Sequence, residues 1–90
     1  MDLIIIPERD GCDIIVLKFG IPILNHIKGN PQEYFNKLKN FVIERESIEN
    51  IYVDHSGYGI AIYNELENMI KVLKMKTQIY PMSHSNKLFK

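Results

Sequence analysis

The chain has 90 residues, 46% of them hydrophobic and 24% charged, with equal numbers of basic and acidic side chains. That length holds one domain with one modest core, and the composition is that of an ordered globular protein. The single cysteine, Cys12, excludes an internal disulfide and a cysteine-based metal cage, and it fits an intracellular, cytoplasmic setting better than a secreted one.

Leu3 to Ile6 is a short β-branched run and reads as a buried first strand. Pro7 and Glu8 stop it far short of a membrane span, and no basic region or small-residue cleavage site accompanies it, so neither a membrane segment nor a secretory signal is expected. Asp10-Gly11 is a hairpin signal between two apolar runs. A second strand follows over Asp13 to Phe19, Gly20 turns the chain again, and Ile21 to Ile27 forms a third. Two close turns predict a three-stranded antiparallel meander. Its last strand would lie at a sheet edge, where an apolar strand invites pairing with a second copy of the chain.

Asn30-Pro31-Gln32-Glu33 is a helix start. Asn30 can cap free amides, Pro31 sits where a missing N–H costs nothing, and Glu33 can reach back to the cap. Tyr34, Phe35, Leu38, Phe41 and Val42 then form one apolar stripe, which ends at Glu44-Arg45-Glu46. Ile48 to Asp54 reads as a fourth strand. His55-Ser56-Gly57-Tyr58-Gly59 breaks the pattern, and a second helix is predicted from about Tyr58 to Lys74 with Ile62, Leu66, Met69, Ile70 and Leu73 on one face. Thr77 to Pro81 is a short fifth strand. The order βββαβαβ predicts an α/β domain with a mixed five-stranded sheet, its later strands reached through helical crossovers.

Charge is unevenly spread. Residues 1–70 hold six Lys and Arg against eleven Asp and Glu, whereas residues 71–90 hold five Lys and no acid. A basic tail can meet phosphate, DNA included. Lys71 and Lys74 equally suit the C-terminal end of a helix dipole.

Two segments carry a resemblance. One is Pro7-Glu8-Arg9-Asp10-Gly11-Cys12-Asp13-Ile14-Ile15-Val16. The other is Ile51-Tyr52-Val53-Asp54-His55-Ser56-Gly57-Tyr58-Gly59, followed by Tyr63-Asn64-Glu65-Leu66. Together, at this separation and with a capped helix between them, they resemble the ribonuclease H-like nuclease domain of phage terminase large subunits over nearly the whole chain. The resemblance implies a phage or prophage origin and metal-dependent DNA cleavage during genome packaging. It also implies carboxylates from the first strand, the fourth strand and a late helix, holding two Mg²⁺ or Mn²⁺ ions. Asp54 matches the fourth-strand acid, the catalytic and metal-binding candidate. Gly57 and Gly59 match the family's glycines, and Asp13 matches an acid after the Gly-rich turn. The first-strand Asp falls on Ile6, which cannot bind a metal ion, and the late helix has no counterpart.

Each candidate has a plainer reading beside it. Glu8, Asp10 and Asp13 could rebuild a metal site with Asp54, or serve only turn chemistry and solubility. Gly57 and Gly59, with Lys87, could contact phosphate, or the glycines could shape a tight turn with Ser56 as the cap. His26, His55 and His84 lack zinc spacing. Tyr52, Tyr58, Tyr63 and Tyr80 could stack on bases or pack against the fold. Cys12 lies in a turn between carboxylates that would raise its pKa, which argues against a nucleophile. Two functions follow: a terminase-like nuclease-domain protein with an incomplete centre, or a non-catalytic module that engages a host or phage protein.

Overall fold

A computed structural model describes residues 1–45 and 47–83. The elements run β1 (Asp2–Pro7), β2 (Gly11–Lys18), β3 (Ile21–Lys28), α1 (Pro31–Ile43), β4 (Asn50–Asp54), α2 (Gly59–Val72) and β5 (Gln78–Met82). They form one α/β unit with a five-stranded mixed sheet in the order β3-β2-β1-β4-β5. β1 pairs antiparallel with β2 and parallel with β4. β2 pairs antiparallel with β3, and β4 parallel with β5. The expected element order is present. The boundaries shift by a few residues: β2 starts at Gly11 and takes in Cys12, and β4 starts at Asn50.

Side-chain alternation decides which face of the sheet is covered. Leu3 and Ile5 of β1, Cys12, Ile14 and Val16 of β2, and Ile51 and Val53 of β4 point to one face. There they meet Tyr34, Leu38 and Val42 of α1 and Ile62, Leu66 and Ile70 of α2 in a single buried cluster. Both helices therefore lie on the same face, side by side, with a groove between Asn36, Asn40 and Ile43 on one and Glu65, Met69 and Leu73 on the other. The second face is also apolar at its centre, where Leu24, Ile15, Ile4, Tyr52 and Tyr80 form one row across all five strands. Tyr52 and Tyr80 stack with ring centroids 5.5 Å apart.

Local chemistry sets the ends of the elements. The α1 start is a full capping box: Glu33 N–H donates to Asn30 Oδ1 at 2.9 Å, and Asn30 N–H donates to Glu33 Oε1 at 3.2 Å. The Thr77 hydroxyl donates to the Ile48 carbonyl at 2.9 Å and ties the entries of β4 and β5 together. Gly11 is not the left-handed residue that a hairpin dipeptide suggests. It stands in β2, where a Cβ would come within 2.7 Å of the His26 ring, so it is glycine to admit that ring.

The β2–β3 hairpin turns through Phe19 and Gly20, both left-handed, at φ 53° and 76°. Such two-residue turns match the strand twist and favour Asn-Gly. A phenylalanine there is strained, and it is 92% exposed. We expect Phe19→Asn to raise unfolding stability by about 0.5–1 kcal/mol in urea titrations, since Asn tolerates this conformation. Asn30→Ala should lower it by about 1 kcal/mol; an unchanged urea midpoint would mean that the cap contributes nothing.

Candidate functional site

The resemblance directs attention to the end of the sheet where β1 and β4 finish. Ile5 pairs with Val53, so one residue further on Ile6 and Asp54 lie side by side, both on the second face. On the other flank of Ile6, Asp13 is its direct partner, and His26 is the partner of Asp13. The row therefore reads His26, Asp13, Ile6, Asp54, Met82. With strands about 4.8 Å apart, the backbones of Asp13 and Asp54 are separated by about 10 Å, with an isoleucine between them.

Three of the four candidate carboxylates are engaged by their neighbours. Asp13 Oδ1 is 2.6 Å from His26 Nδ1, a charge-assisted pair when the ring is protonated. Glu8, Arg9, Asp10, Gly11, Asp13 and His26 line one shallow hollow of about 300 Å³, and Asp54 does not border it. Arg9 Nε is 3.6 Å from Asp10 Oδ1, with both side chains largely in solvent. Asp54 is buried at 6% exposure and accepts a 2.7 Å hydrogen bond from the Ser56 hydroxyl.

Asp54, Asp13, Asp10 and Glu8 are thus split between two places. Among the described residues, no group of three or more His, Cys, Asp or Glu is arranged to hold a metal ion. Two magnesium or manganese ions need several convergent oxygen ligands, and the position between the two aspartates belongs to Ile6. The residues present do not fit a two-metal centre.

The glycines answer to geometry. Gly57 is left-handed at φ 54°. At Gly59 a Cβ would fall on the Asp54 carbonyl oxygen, so the first turn of α2 lies directly against the end of β4. Two amides of this turn are used internally. Gly59 N–H donates to the Ser56 carbonyl at 2.9 Å, and Ile60 N–H reaches the Gly57 carbonyl at 3.4 Å. The expectation that Ser56 caps α2 is corrected. The N-cap position is Tyr58, it makes no side-chain cap bond, and the Ser56 hydroxyl turns back to Asp54 instead.

Several of the remaining candidates have ring or ion-pair partners, while Tyr58 is exposed. His55 meets Tyr63 edge-on at 5.1 Å, and Tyr52 is stacked on Tyr80. Lys71 pairs with Glu67 at 3.8 Å. Because α2 runs back along the sheet from the Asp54 end, Lys71, Lys74 and Lys76 gather near the start of β5 and not at the candidate site. Lys87 and His84 lie outside the described residues.

Cys12 is fully buried in β2, not in the turn, and its thiol is pushed up to about 12. Burial is the larger cause, and the Asp13 and Glu8 carboxylates add to it. Sequence reasoning named the carboxylates but missed the burial, which the paired apolar positions Ile14 and Val16 could have signalled. The Tyr34 hydroxyl, which reaches the core edge to donate to the Glu8 carbonyl at 2.9 Å, is likewise raised to about 12, chiefly by burial.

No protein-family model matches the chain, and neither the curated proteins nor the solved structures give a match. No helix among the described residues is long and apolar enough to cross a membrane.

Two outcomes test this geometry. Gly59→Ala should cost about 3 kcal/mol or more, or prevent folding, because backbone must move. Gly57→Ala should cost only about 1–2 kcal/mol, since nothing lies within 4 Å of its missing Cβ and only the dihedral is strained. Equal losses in chemical denaturation would contradict the contact at Gly59. Cys12 should resist a thiol-specific reagent in the native protein and react fully in denaturant. Its folded pKa lies above the ordinary thiol value, so the unfolded chain ionises first. Stability should accordingly fall as pH rises from about 9 towards 12, and the Cys12 part of that fall should vanish in Cys12→Ala.

Proposed function

We propose that the chain is a ribonuclease H-like module of terminase descent, phage or prophage encoded, that acts in the cytoplasm by binding a host or phage protein and does not cut DNA. The observation that carries this reading is Ile6, an apolar side chain between Asp13 and Asp54 at the position where the family has a metal-binding aspartate. The frame is consistent with the descent. Carboxylates can be gathered from the first and fourth strands only if those strands are neighbours, and β1 and β4 are paired. A sheet that keeps this order while an isoleucine holds the centre retains a scaffold without the chemistry.

A second reading has one observation in its favour. Asp54 stands buried at the tip of β4, ahead of a glycine-shaped entry into α2, as a catalytic acid of this class would. Under that reading Mg²⁺ or Mn²⁺ would be required, with DNA as the substrate.

Incubation of the protein with supercoiled plasmid and Mn²⁺ separates the two. We expect no nicking by the wild type above a buffer control, and no difference in Asp54→Ala. Manganese-dependent nicking that Asp54→Ala abolishes would overturn the binding-module reading.

A further inference from the structure

We propose that two copies of this chain join through their β3 edges, in antiparallel register centred on Asn25, to make one continuous ten-stranded sheet. This rests on the edge alone and is independent of the functional reading above.

The argument starts with which backbone groups face outward. Gly29 N–H donates to the Asp10 carbonyl at 3.1 Å. In an antiparallel ladder the direction of the backbone groups alternates. Ile27, Asn25, Ile23 and Ile21 therefore turn theirs towards β2, and Pro22, Leu24, His26 and Lys28 turn theirs outward. Three of these outward residues carry an N–H, and Pro22 has none. The opposite edge differs. Gln78 N–H donates to the Glu49 carbonyl, and the Met82 carbonyl accepts from His55 N–H, so Ile79 and Pro81 are the outward residues of β5. With five residues and a proline at an outward position, β5 is a blunted edge; β3, with eight residues, is the available one.

Apolar exposure is concentrated on the same edge. Phe19, Ile21, Ile23 and Leu24 are 92%, 64%, 51% and 68% exposed. The strand also complements itself. With Asn25 at the twofold axis, Leu24 of each copy pairs with His26 of the other, giving four hydrogen bonds, and Lys28 N–H of each donates to the other's Pro22 carbonyl, giving two more. The missing N–H of Pro22 therefore costs one bond per copy. Ile23 lies opposite Ile27 across the interface, and Asn25 opposite Asn25. The two Lys28 side chains stand at opposite ends, about 20 Å apart, so no like charges meet.

Sedimentation equilibrium of the full chain should give a dimer mass at micromolar concentration. Leu24→Pro deletes an outward N–H that β2 does not use. It should raise the dimer dissociation constant about ten-fold or more while leaving the far-UV circular dichroism unchanged. Asn25→Cys reads the register directly. Facing residues at that position are a non-hydrogen-bonded pair, close enough for a disulfide. Diamide, which takes up the two thiol hydrogens, should convert the variant to a covalent dimer. Ile27→Cys, which faces Ile23 instead of itself, should not cross-link, and the buried Cys12 should not interfere. A wild type that stays monomeric at several hundred micromolar overturns the proposal, as does cross-linking of Ile27→Cys in preference to Asn25→Cys.

Discussion

The arrangement depends on one close approach, the first turn of α2 lying against the Asp54 carbonyl with only the hydrogen of Gly59 between them. Because the helix starts this near the strand, it can turn back at once and lay Ile62, Leu66 and Ile70 along the sheet. A side chain at residue 59 would lift α2 and open the core over Ile51 and Val53. The same contact fixes the loop, so that Ser56 comes round to Asp54 and the tip of β4 is closed by its own neighbours.

Much of this was legible in the residues. The capping box at Asn30, the period of α1 and the alternation in β4 rest on interactions between positions a few residues apart, and sequence spacing reports those well. The order of elements followed; the pairing of β4 with β1 did not, since a helical crossover calls only for a parallel neighbour and β1 and β3 run the same way. What stayed hidden depends on atoms distant in the chain. Gly11 looked like a turn residue, yet it makes room for His26 from another strand. Ser56 looked like a cap because its partner Asp54 lies behind it in the chain, not ahead. Cys12 looked like a turn residue because β2 begins two positions earlier than its hydrophobic pattern suggests.

The candidate site was legible in its parts and not in its assembly. Asp54, Asp13 and Ile6 were each identifiable, and the sheet does bring them into one row. Whether Glu8 and Asp10 would turn towards Asp54 depends on the path of the β1–β2 turn, which takes them to the hollow beside His26 instead. Nothing in local spacing predicts that path.

The central position of β1 carries a consequence for biosynthesis. Its antiparallel partner is the adjacent hairpin strand, but its parallel partner begins at Asn50, opposite Asp2. A chain emerging from the ribosome can close the β1–β2–β3 meander early. One side of the Ile-rich β1 then stays unpaired until α1 and β4 have been made. For that interval the nascent protein displays its stickiest strand as an edge, open to pairing with another chain until β4 emerges to cover it.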